Sequence, residues 1–115
     1  MSGEPSPAEL FRLLDDDCAR AILTKTSVQP MSAQTLSTEC DASLPTIYRR
    51  LNELEECGFV EKRTRPNPDG NHRAVYEATV EHVGIDIVDG DLSVTVTERD
   101  AADRFTQVWT DLRGD

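Results

Sequence analysis

Apolar positions along this chain recur at helical spacing in its first half and alternate with polar ones in its second. In PAELFRLLDDD, Leu10 and Leu14 fall on one face of a short helix. DDDCARAILTKTS predicts a second helix, its three aspartates at the end where the helix dipole favours negative charge. MSAQTLSTEC reads as a third short helix, with Ser32 as N-cap and Leu36 and Cys40 one turn apart. A tight turn at Asp41-Ala42 follows. Ser43 then caps a fourth helix that runs to Cys57 and stops at Gly58 in the C′ position.

Past Gly58 the period drops to two. FVEKRTR and HRAVYEATV flank PNPDGN, a set of loop-forming residues, and predict a hairpin with a long polar tip. A second hairpin follows: Val83, Ile85 and Ile87 alternate, Asp89-Gly90 supplies a two-residue turn, and Leu92, Val94 and Val96 alternate back. Thr97 and Asp100 have capping-box spacing and predict a last, amphipathic helix carrying Ala101, Phe105, Val108, Trp109 and Leu112 on one side. The expected architecture is α+β in a single domain of 115 residues.

Charge sharpens the picture at the fourth helix. The chain carries 22 acidic and 12 basic residues, for a formal charge of −10. Yet six of the twelve basic residues lie between Arg49 and Arg73. On a helical wheel Leu44, Ile47, Leu51 and Leu54 fall within roughly 80° of one another and form the buried stripe. Pro45, Arg49, Asn52 and Glu56 point the opposite way, with Thr46 and Tyr48 on the shoulders. Arg50 emerges only about 80° from the stripe's centre. The adjacent arginines are therefore expected to have different roles.

The ordered set of helix, helix, short helix–turn–helix and hairpin has the layout of a winged helix-turn-helix. LLDDDCARAIL, LPTIYRRLNELEECGFV and the hairpin together resemble the ArsR-like winged-helix regulators, particularly their small archaeal members, over roughly residues 8 to 80. The resemblance implies a DNA-binding domain over residues 1–80, with the helix-turn-helix at about 32–57 and the wing at about 59–80. Residues 81–115 lie outside the motif and form the additional hairpin and helix. Double-stranded DNA is the implied partner. In such domains the N-terminal half of the second motif helix enters the major groove. Pro45, Thr46, Tyr48, Arg49 and Asn52 are then the candidate base readers, Arg49 suiting a bidentate contact to guanine. Arg50 and Ser43 are candidate phosphate contacts. In the wing the corresponding residues are Lys62, Arg63, Arg65, His72 and Arg73, with Asn71 at the tip. The family commonly dimerises through its terminal helices, which points to Phe105, Val108, Trp109 and Leu112 as the homodimer interface.

Composition narrows the setting. Ten of the twelve basic residues are arginine, and lysine occurs only at Lys25 and Lys62. Abundant Asp, scarce Lys and few bulky apolar residues resemble proteins of salt-in halophilic archaea. No run reaches the ~18 apolar residues of a membrane span, and the N-terminus lacks a signal-peptide layout, so a cytoplasmic protein is expected. Cys18, Cys40 and Cys57 include no CxxC pair and provide no metal site, and no cofactor is expected. Cys18, near a helix start, is the one thiol placed to respond to oxidation, although three aspartates precede it. Nothing assembles a nucleophile, base and oxyanion donor, so an enzyme is not expected. The sequence names no small-molecule effector. The rival reading is a winged-helix protein–protein interaction module that uses its acidic surface without DNA.

Overall fold

The computed structural model describes residues 6–70 and 72–99, and the backbone of 106–111. Four helices, α1 (Pro7–Asp15), α2 (Asp17–Val28), α3 (Ala33–Cys40) and α4 (Leu44–Glu56), precede five strands. Two antiparallel sheets follow: β1 (Val60–Pro66) with β2 (His72–Ala78), and β3 (Val80–Val88), β4 (Asp91–Glu98) and β5 (Thr106–Asp111) in the order β3-β4-β5. This is the α+β arrangement of a winged helix-turn-helix with an added sheet. No helix among the described residues is long and apolar enough to cross a membrane.

Local chemistry sets the helix ends. The side chains of Ser6, Asp16, Ser32 and Ser43 each accept a hydrogen bond from a backbone N–H in the first turn of the helix that follows. At the end of α4, Gly58 takes φ 76°. Its N–H donates to the Glu55 carbonyl, and that of Phe59 donates to Leu54. This pair of bonds is a Schellman motif, closed by contact between the fully buried Leu54 and Phe59.

The core joins Leu10, Ile22, Leu36, Ile47, Leu51, Leu54 and Phe59 to Tyr76 of the wing and to Val94 and Val96 of the second sheet. Leu44, expected in the buried stripe, is 37% exposed. It occupies the first position of α4, one turn before the buried Ile47. Three sets of hydrogen bonds fix the sheets to the helical half. Met31 exchanges both backbone hydrogen bonds with Tyr76 at 3.0 and 2.7 Å, adding a third strand segment to the wing. Thr79 donates its N–H to Phe59 (2.8 Å) and its hydroxyl to Gly58 (2.9 Å). Arg99 donates from its guanidinium to the Ser27 carbonyl and from its backbone to Thr79.

The second hairpin turns as expected, with Asp89 at φ 54° and Gly90 at φ 82°. Positive φ at both central residues is the requirement of a type I′ turn. The expected C-terminal helix is corrected: Thr106–Asp111 is strand β5, paired with β4 from Leu92↔Asp111 to Thr97↔Thr106. Thr97, expected as a helix cap, belongs to β4. Thr106, Val108 and Thr110 are β-branched and alternate with Gln107 and Trp109, a pattern suited to a pleated strand, and β4 offers an edge to receive it. The helical face expected to carry the dimer interface is not formed over Thr106–Asp111. Val108 and Trp109 lie on β5, whereas Ala101, Phe105 and Leu112 lie outside the described residues.

Candidate nucleic-acid interface

The outward face of α4 carries its polar residues where the wheel puts them. Ser43, Pro45, Tyr48, Arg49 and Asn52 are exposed, and Thr46 is half-buried, its N–H held by the Ser43 hydroxyl. Opposite them Ile47, Leu51 and Leu54 are completely buried, so the helix cannot roll without losing its core contacts.

Arg50 is placed differently from its neighbour. Its Nε donates to Asp16 at 3.0 Å and its Nη1 to Glu53 at 3.1 Å, with the side chain largely covered. Arg50, a candidate phosphate contact, thus ties α4 to the start of α2 in this structure. Asp16 completes the link, because the same carboxylate oxygen also accepts from the Ala19 N–H at 2.8 Å. Partial burial raises the Asp16 pKa, but the Ala19 bond and the Arg50 guanidinium outweigh it and leave the pKa lowered. A depressed carboxylate contributes stability above its unfolded-state pKa, and that contribution disappears as pH falls through the folded value. Asp16→Ala is thus expected to cost about 1–3 kcal/mol at pH 7, through the lost cap and the stranded Arg50. Urea titrations of wild type and variant should converge as the pH is lowered below the ordinary carboxylate range.

The wing presents its cations on two faces. Arg63 bonds Glu77 at 3.3 Å and lies 4.0 Å from Glu61. It is exposed but engaged near the root of the hairpin. Lys62 points to the other face. Arg65 and Arg73 stand directly opposite one another in the ladder, with His72 beside them opposite Pro66, all exposed. Asn71 lies outside the described residues. Like charges paired across two strands repel. Neither Arg65 nor Arg73 has a carboxylate partner among the described residues.

These two arginines border a cleft of about 390 Å³ that reading of the sequence did not find. Gln29, Met31, Ser32 and Thr35 line its other wall, and Asn67 lies at the tip. The cleft exists because the Met31–Tyr76 bridge draws the start of α3 beside the wing. Ser32 was recognisable as a cap, but a pairing across 45 positions leaves no local signal. Two guanidiniums, amide and hydroxyl groups and the first turn of α3 give the cleft the kind of donors that an anionic oxygen group requires.

The cysteines lie elsewhere. Burial raises the Cys18 thiol and Asp16 raises it further against the opposing effect of Arg50, the reverse of what a reactive thiolate requires. Burial also raises Cys40, and it pushes Cys57 up to about 11 with help from Glu9, Glu56 and Glu53.

Comparison with known proteins agrees with this arrangement. The sequence model of a family described as a helix-turn-helix domain matches residues 3–63, more than half of the chain. No curated protein matches it.

Proposed function

The chain belongs to this helix-turn-helix domain family, and from that premise we propose that it is a sequence-specific, DNA-binding transcriptional regulator of the ArsR-like kind, acting as a dimer at promoters and not as an enzyme. One observation carries the reading. Of the six cations between Arg49 and Arg73, Arg50 and Arg63 are ion-paired within the protein. Arg49, Lys62, Arg65 and Arg73 have no ion pair among the described residues, and all four are exposed on the recognition helix or the wing.

The roles divide by position. Arg49, with Tyr48, Asn52, Pro45 and Thr46 around it, reads base edges in the major groove. Ser43, at the start of α4, contacts a phosphate. Arg65 and Arg73 hold a backbone phosphate at the cleft, and Lys62 and His72 lie along the neighbouring backbone. The acidic remainder of the chain repels DNA and confines binding to these surfaces. The excess of acidic residues and the scarcity of lysine suit a salt-rich cytoplasm, where phosphate attraction is weak and base contacts at two half-sites carry the affinity. Thiol oxidation at Cys18 is not part of this mechanism, because burial and Asp16 raise its pKa and so work against a reactive thiolate.

Fluorescence anisotropy with DNA from the protein's own promoter, against scrambled DNA of equal length, tests the reading. Preferential binding of the promoter supports it, and equal affinity for both overturns it. The cleft has its own signature. Each phosphate contact contributes about 0.9 to the slope of log K against log salt, so Arg65→Ala with Arg73→Ala, which together release one phosphate, should flatten that slope by roughly 1 per bound protomer. The preference for promoter over scrambled DNA should remain.

A further inference from the structure

The second sheet leaves an edge that the DNA-binding surfaces do not use. β3 is its outer strand, nine residues long, and no strand lies beside it on the side away from β4 among the described residues. Its distal half is apolar and open: Ile85 is 53%, Ile87 74% and Val88 60% exposed. One strand inward, Val94 and Val96, paired with Ile85 and Val83, are 0% and 2% exposed. Edge strands are ordinarily blunted by lysine, proline or a bulge. β3 contains neither residue; it carries the exposed charges Glu81 and Asp86, and its one bulge, between Val80 and His82, lies at the opposite end from the exposed isoleucines.

We propose that β3 pairs antiparallel with β3 of a second copy about a two-fold axis at Gly84, giving a continuous six-stranded sheet. This rests on the dimeric part of the reading above and names its interface. Keeping both apolar faces on one side of the sheet requires residues of like parity to face each other. With the axis at Gly84, Val83 faces Ile85 and His82 faces Asp86, and by symmetry each contact occurs twice. Moving the axis to Ile85 would pair Val83 with Ile87 and Ile85 with its own copy, but would set His82 against Val88 and Asp86 against Gly84, leaving the polar groups without partners. The two His82–Asp86 pairs therefore select the register at Gly84. Val88 then faces Val80 and Ile87 faces Glu81, at the bulged end of the second copy's strand.

Gly84 fits that axis. Its backbone is not in the left-handed region, so conformation does not require glycine there, and the missing side chain leaves room for the His82 ring. The His82 Nε2 lies 3.2 Å from where a Gly84 side chain would begin. The ring therefore leans along the strand toward the axis, where an N–H can donate to Asp86 across it. Both chains are acidic, and salt screens the long-range repulsion between them while leaving the apolar contact intact.

Sedimentation velocity of the full chain, under reducing conditions in 1 M KCl, tests the proposal. Wild type is expected as a dimer and Ile85→Lys as a monomer, with unchanged circular dichroism because the Ile85 side chain is already exposed. His82→Asp and Asp86→His should each weaken the dimer by about tenfold, and the combined swap should restore it. A dimer that survives Ile85→Lys overturns the β3 interface but leaves dimerisation standing. A swap that fails to rescue overturns the register at Gly84. A monomeric wild type overturns both the interface and the dimeric reading, without bearing on whether Arg49 reads DNA.

Discussion

Arg49→Ala lowers affinity for the specific promoter site by roughly 30-fold to 10⁴-fold and leaves the protein folded. The size follows from geometry. A bidentate arginine–guanine contact discriminates by about 1–3 kcal/mol, and a dimer on two half-sites loses two of them. Binding to scrambled DNA falls far less, so the ratio between the two DNAs collapses. Stability changes by less than about 0.5 kcal/mol, because Arg49 is exposed and has no ion pair among the described residues. The adjacent residue supplies the contrast. Arg50→Ala breaks the bonds to Asp16 and Glu53 and destabilises the fold, with its effect on binding confined to that loss. Anisotropy titrations and urea melts of both variants test the pair. A protein-interaction module using its acidic surface would show no change in DNA binding with Arg49→Ala. That result would also remove α4 as the reading element.

The contrast between the two arginines shows where a sequence is legible. The outward direction of Arg49 follows from a 3.6-residue period and a run of leucines, both of them local. The caps at Ser32 and Ser43, the stop at Gly58 and the Asp89-Gly90 turn are local in the same sense, and the structure has each of them. The placement of Arg50 beside the buried stripe was equally legible, but its partner was not: Asp16 is 34 positions away and meets it only once α2 has packed on α4. The cleft at Arg65 and Arg73 escaped for the same reason, since one of its walls arrives through the Met31–Tyr76 bridge. At the C-terminus local signals competed. The Thr97–Asp100 spacing imitates a helix cap, whereas the β-branched alternation from Thr106 to Thr110 matches a strand. The vacant edge of β4 favours the strand. Tertiary pairing decided between two locally acceptable patterns.

Phe59→Ala has the largest expected effect on stability, about 3–5 kcal/mol, against the 5–15 kcal/mol typical of a whole domain. Phe59 is completely buried, and its side chain packs where α4 ends and the wing begins. Its main chain serves the same junction. The N–H closes the Schellman motif on Leu54, and the carbonyl accepts from Thr79 at 2.8 Å and from Val80 at 3.4 Å. Truncation leaves a cavity at the point where the helical core, the first sheet and the start of the second sheet meet. A drop in melting temperature of roughly 10–25 °C is expected for a domain of this size, and Phe59→Leu, which keeps most of the volume, should lose less than half as much. Urea and thermal melts followed by circular dichroism measure both. A cost below about 1 kcal/mol for Phe59→Ala would mean that the wing is not anchored through this residue. At temperatures where the variant remains folded it should still prefer promoter over scrambled DNA, because Arg49 and the outer face of α4 are untouched. Stability and recognition then separate by residue: Phe59 holds the wing against α4, and Arg49 uses the surface so formed.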